Sequence, residues 1–226
     1  MTDRVAVPGD GIRAVLAGEK PGQVLLRRLG PPLGFHAVDL FVLARREVPD
    51  DLAPLDAAAA RWTTGTVTDA VRLPAARRSE LLRLIRSLPQ EERRSGFAPK
   101  LQAPLAGGPG AWVVRMLQYR NLDWTGMAKT LGLVTPTYLS SATYGAIGSG
   151  RKELTPGLVT DFAALLGIEP CELALLTGVS LREPPPPSAE AVDAAALVWA
   201  VRRLSVGQAR HVHELARSLR RDTHGG

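Results

Sequence analysis

From Trp112 to Gly178 the chain reads WVVRMLQYRNLDWTGMAKTLGLVTPTYLSSATYGAIGSGRKELTPGLVTDFAALLGIEPCELALLTG. Apolar residues in this stretch recur at spacings of three and four, the period of a helix with one buried face. Val113, Met116 and Leu117 give a first helix its inner side, and Arg120 closes it. Asp123 can cap a second helix, because its carboxylate accepts from backbone N–H groups that have no partner inside the helix. Met127, Ala128 and Leu131 then face inward, and Gly132 suits the left-handed turn that ends a helix. A third helix is expected from Ser140 to about Ile147, with Tyr144 and Ile147 inside and Gly150 at its end. Thr155 followed by Pro156 is a cap and a first-turn proline. The fourth helix they open runs to Leu166, with Leu158, Phe162, Leu165 and Leu166 on one face. Pro170 to Leu176 makes a fifth, stopped at Gly178.

Outside this stretch the periodicity stays helical, and no alternating strand pattern appears. Leu81, Leu84, Ile85 and Leu88 form one apolar stripe, and Val212, Leu215, Ala216 and Leu219 another. Ser205-Val206-Gly207-Gln208 has the form of a capping box. Three Pro- and Gly-rich segments interrupt the helices: Pro49 to Pro54, Pro99 to Gly110, and Arg182 to Ser188 with its four consecutive prolines. The fold class expected is all-α.

The chain also echoes itself. Leu33-Gly34-Phe35-His36-Ala37-Val38-Asp39-Leu40 parallels Leu166-Gly167-Ile168-Glu169-Pro170-Cys171-Glu172-Leu173, 133 residues on. Ala14 to Lys20 parallels Ala146 to Lys152, and Leu73 to Leu88 parallels Leu204 to Leu219, in the same order at nearly the same offset. The expected organisation is therefore two related units. A first, 10–90, ends in a helical hairpin and is joined by a linker, 91–110, to a five-helix domain, 111–180. A Pro-rich spacer, 181–188, leads to a second hairpin, 189–222. The helices Ala189 to Leu204 and Ser205 to Arg221 are amphipathic and can cover the domain or pair between subunits.

Composition narrows the chemistry. Hydrophobic residues make up 45% and aromatic residues only 5%, so the core is built from Leu, Val and Ala, which favours helices. The 28 Lys and Arg against 22 Asp and Glu leave a net charge of +6, which suits nucleic acid or an acidic partner. Nearly all the cations are Arg, the lysines being Lys20, Lys100, Lys129 and Lys152. Cys171 is the one cysteine, expected as a small buried hydrophobe. A lone cysteine permits no internal disulfide and fits a cytoplasmic protein. Met1 to Arg4 opens no apolar signal segment, and no run is long enough to span a membrane. His211 and His213 lie two apart on a helix, on faces about 200° apart, so no shared metal site is expected. No phosphate-cradling loop follows a strand and no nucleophile elbow exists, so neither catalysis nor a cofactor is expected.

The ordered set Met127-Ala128, Leu131-Gly132-Leu133, Ile147, Gly150-Arg151-Lys152, Leu165-Leu166-Gly167-Ile168 and Glu172-Leu173 resembles the five-helix Cro/phage-repressor domain, also called the xenobiotic-response-element (XRE) type. The resemblance covers about 65 residues. It implies that the third helix lies in the major groove of duplex DNA, its early residues on base edges. In this chain those positions are Ser140, Ser141, Ala142, Thr143 and Ala146. Ser and Thr hydroxyls can bond several bases, and a methyl can touch thymine. The resemblance places phosphate contacts at Trp124, which opens the second helix, and at Arg151 and Lys152 after the third. Trp124 stands where the family commonly has a polar residue, and Val134 to Leu139 lengthen a turn that is usually short. A bacterial transcriptional regulator is implied, in a family that often forms homodimers on inverted repeats. The competing expectation is a protein-interaction scaffold that keeps the fold without reading DNA.

Overall fold

The computed structural model describes residues 13, 15, 17–99 and 105–224. Part of the expected linker, 100–104, lies outside the described residues, as do Ala14 and Leu16 of the repeated segment. Among the described residues there are eleven α-helices and no strand, so the fold is all-α. No helix among them is long and apolar enough to cross a membrane. The chain divides into two compact units, Met1–Ala53 and Pro54–Gly226.

In the first unit, α1 (Gln23–Leu29) and α2 (Ala37–Leu43) pack on each other across a short 3-10 turn, Pro31–Leu33. Gly34 ends that turn at φ 71°, a left-handed conformation that costs glycine nothing. Its counterpart Gly167 ends a helix at φ 70° and likewise precedes a helix. The two glycines thus share a backbone conformation, one after a 3-10 turn and the other after an α-helix. Buried Asp39 returns to the backbone N–H of His36 at 3.2 Å, so the first turn of α2 is capped from within. Arg27 grips Asp51 with two bonds, 2.7 and 2.8 Å, on the surface.

The second unit joins a five-helix domain to a bundle. The five helices are α5 (Pro109–Gln118), α6 (Trp124–Val134), α7 (Ser141–Gly148), α8 (Pro156–Leu166) and α9 (Pro170–Thr177). The inward residues read from the sequence are buried: Val113, Met116, Leu117, Met127, Ala128, Leu131, Tyr144, Ile147, Leu158, Phe162, Leu165 and Leu166. The caps are in place too. Asp123 Oδ1 accepts from the Gly126 N–H at 2.7 Å, and Thr155 Oγ1 from the Leu158 N–H at 3.3 Å. Gly132 differs from expectation. It stays inside α6, which runs on to Val134, and a Cβ there would come within 3.2 Å of the Tyr138 ring. Cys171 is also corrected: it is exposed, because α9 buries Leu173, Ala174 and Thr177 instead.

The bundle consists of α3 (Ala60–Ala70), α4 (Ala75–Ser87), α10 (Ala189–Val201) and α11 (Val206–His224). The sequence assigned the first pair to a unit ending near residue 90. Both pairs lie in the same compact unit, α3 packing on α11 and α4 on α10. Of the two roles open to the C-terminal hairpin, covering or pairing, the chain shows it covering, since α10 also packs on α8. The capping box forms: the Ser205 N–H donates to Gln208 Oε1 and the Gln208 N–H to Ser205 Oγ, both at 3.3 Å. The described part of the expected linker is tied down. Arg93 donates to the carbonyls of Pro54 and Leu55, and the Phe97 ring packs 5.5 Å from Tyr119.

Candidate nucleic-acid interface

Helix α7 is seated by contacts on one side. Tyr144, Ile147 and Gly148 are buried, and the helix packs on α5 and α6. Gly110 of α5 lies so close to the Ile147 carbonyl that any Cβ would strike the backbone. The Tyr144 hydroxyl donates to the Met127 carbonyl of α6 at 3.0 Å, and its ring packs on Phe162 of α8, centroids 6.0 Å apart. One hydrogen bond, a close backbone approach and a fitted ring thus fix the rotation of α7 about its own axis.

That rotation turns the residues expected to read bases outward. Ser140 and Ala142 are exposed, and Ser141, Thr143 and Ala146 are half-buried. Ser140 occupies the cap position in extended conformation, and its hydroxyl meets the Thr143 hydroxyl at 3.0 Å rather than a backbone N–H. All five side chains are short. Gly145 has no packing reason to be glycine, because a Cβ there would meet nothing within 4 Å. No acidic side chain stands on α7.

Two cations follow this face. Arg151 and Lys152 follow the helix, both exposed, and their backbone N–H groups donate to the Ala146 carbonyl, which holds the turn against the helix end. Gly150 makes the turn at φ 73°. Arg151 Nε donates to Ser149 Oγ at 3.0 Å, so the guanidinium starts from the helix side of the turn. Glu153 follows, also exposed, and offsets part of the charge. Two further exposed residues, passed over in the sequence reading, stand on α6 and in the connection before α7. Tyr138 is 81% exposed, and it shares a cavity of about 550 Å³ with exposed Lys129 of α6. The available signal was a lone lysine on an amphipathic helix and an aromatic side chain in a turn that has no core to bury it.

Trp124 is the exception among the expected contacts. It is 5% exposed and its indole Nε1 is enclosed, so it packs the core and cannot present a donor to a phosphate. Helix α3 covers the same turn. Thr64 of α3 sits against Gly126, where a Cβ would come within 2.5 Å of its Oγ1, so the first turn of α6 is covered. The turn before it is covered too: Asn121, at φ 57°, donates its amide to the Asp56 carbonyl at 2.9 Å.

No family model, curated protein or solved structure matches the chain. The case for function rests on this geometry.

Burial pushes the Tyr144 hydroxyl well above its ordinary pKa. Below about pH 10 the phenol is neutral in both the folded and unfolded chain. Above that, the unfolded chain releases the proton and the folded chain keeps it, so stability falls as pH rises past about 10. Tyr144→Phe should remove this loss at a constant cost of about 1 kcal/mol for the missing hydrogen bond. Urea unfolding at pH 8 and pH 10.5 checks it: wild type should lose more stability between the two than the variant. Equal losses would contradict the placement of Tyr144.

Proposed function

We propose that the chain is a duplex-DNA-binding protein of the Cro/phage-repressor (XRE) type, a cytoplasmic bacterial transcriptional regulator. In this reading α7 enters the major groove, Ser140, Ser141, Ala142, Thr143 and Ala146 meet base edges, and Arg151 and Lys152 meet phosphates. The observation that carries the reading is the outward face of α7: short side chains, no acid, and two exposed cations directly after its C-terminal end. Short side chains and Gly145 let the backbone come close to a groove floor. Hydroxyls supply donors and acceptors that fit several bases, which predicts modest discrimination per position. Phosphate contacts supply most of the affinity and release counterions, so binding must weaken with salt. Titrating a labelled duplex at several salt concentrations tests this. Log affinity should fall linearly with log salt, and a flat response would overturn the reading.

A second reading has its own support. The first turn of α6, a phosphate-facing element in the family, is covered by α3, and Trp124 is buried there. A scaffold that keeps the fold and binds another protein through it would have no need of that turn. It predicts no salt-dependent affinity for duplex DNA.

A further inference from the structure

We propose that the four-helix bundle is a two-fold dimer interface folded into a single chain, and that the protein consequently engages DNA as a monomer, at one site without two-fold symmetry. The second clause rests on the DNA reading above; the first does not.

The two hairpins turn at equivalent places. Helix α3 ends at Ala70 and α4 begins at Ala75; α10 ends at Val201 and α11 begins at Val206, both 131 residues later. Each second helix is preceded by the same pair, Arg72-Leu73 and Arg203-Leu204, with the leucine buried. The core positions correspond as well: Val67 with Val198, Leu81 with Val212, and Ile85 with Ala216, all buried. The packing has the matching symmetry. The first helix of each hairpin lies on the second helix of the other, α3 on α11 and α10 on α4, and the first helices also meet, α3 on α10. Exchanging the hairpins carries these three contacts onto one another, although α3 packs on α11 more extensively than α10 does on α4. That self-complementary arrangement is what a two-fold homodimer uses between subunits.

The charges show why the hairpins pair with each other rather than each with its own kind. Buried Arg78 of α4 donates to Asp193 Oδ2 of α10 at 2.6 Å and lies 3.5 Å from Glu190. On the first hairpin, the positions equivalent to Asp193 and Glu190 are Trp62 and Ala59. Buried Asp69 of α3 pairs with Arg220 of α11 at 3.0 Å and lies 3.7 Å from His213. The residues of the first hairpin equivalent to Arg220 and His213 are Pro89 and Leu82. Two copies of the first hairpin would bury Arg78 and Asp69 with neither of these pairings. Specificity built from such mismatched charges favours the combination found inside one chain. The corresponding core positions of both hairpins are already filled by one another within the one chain.

Light scattering coupled to size-exclusion chromatography of the full chain at micromolar concentration tests the first clause. The expected mass is that of one chain, 24.2 kDa. A stable particle of twice that mass overturns it, whether the copies meet on a new surface or exchange hairpins. The same measurement with a selected duplex tests the second clause. One chain per duplex is expected, and cooperative binding of two chains on an inverted repeat overturns it. Failure to bind any duplex would overturn the DNA reading and the second clause with it, while the mass of the free chain still decides the first.

Discussion

Replacing Arg151 and Lys152 together with alanine is expected to weaken duplex binding on every sequence tested and to flatten its dependence on salt. Both side chains are exposed at the end of α7, and neither packs in the core. Each phosphate contact contributes about 0.9 to the slope of log affinity against log salt, so losing two should reduce the slope by about 2. The effect should be uniform across sequences, because phosphates carry no base identity. The fold should survive, since exposed substitutions of this kind stay within about 0.5 kcal/mol. Titration of wild type and variant on the same duplexes, with a thermal melt of each protein, reads all three quantities. Unchanged affinity and slope would remove Arg151 and Lys152 from the interface.

Phe162→Ala should have the largest effect on stability. Phe162 is fully buried on α8, and its ring packs against Tyr144 on the inner side of α7. Truncation loses the transfer of a whole ring from water and leaves a cavity in a helical core that can collapse only in part. The expected cost is about 3–5 kcal/mol. For a unit of this size that is a fall in melting temperature of about 10 °C. Because the ring helps fix the rotation of α7, duplex binding should fall as well, even at temperatures where the variant is still folded. Urea unfolding checks the first part, and a cost under about 1 kcal/mol would mean that α7 is seated otherwise. Titration at low temperature checks the second.

Much of the fold was legible because several signals agreed at each helix. Thr155 and Pro156 open α8 and Gly167 closes it, with Leu158, Phe162, Leu165 and Leu166 at helical spacing between them. Helix α3 was not legible as a core element. Its sequence, ARWTTGTVTDA, has few large apolar residues, yet Thr63, Thr66 and Asp69 are buried. Thr63, Thr64 and Thr68 return their hydroxyls to carbonyls four residues back, which offsets the cost of burying a hydroxyl, whereas buried Thr66 makes no such bond. Asp69 is buried because Arg220 reaches it from a helix about 150 residues away. Such partners leave no local trace. Arg120 is similar. It is 1% exposed, lies over the Trp199 ring at 4.7 Å and donates to the Leu166 carbonyl at 3.2 Å, where the sequence suggested only the end of a helix.

The candidate interface divides the same way. The outward placement of Ser140, Ala142 and Ala146 follows from Tyr144 and Ile147 facing in, which periodicity alone supplies. Trp124 is buried in a turn that α3 covers at Gly126 through Thr64, about sixty residues earlier in the chain, a contact that its neighbours do not encode. Tyr138 was only half legible. The sequence places it in a lengthened turn, but an aromatic ring there has no local signal to say whether it packs inward or stays on the surface, where the connection from Thr135 to Ser140 leaves it.

The most direct test of the central claim, that the outer face of α7 binds duplex DNA, is selection from a random-sequence duplex library by the purified chain. The account predicts enrichment of a short motif without two-fold symmetry, whose preferences relax when Ser141 and Thr143 are replaced by alanine. Recovery of no enriched sequence, or of a motif indifferent to those two replacements, would contradict it.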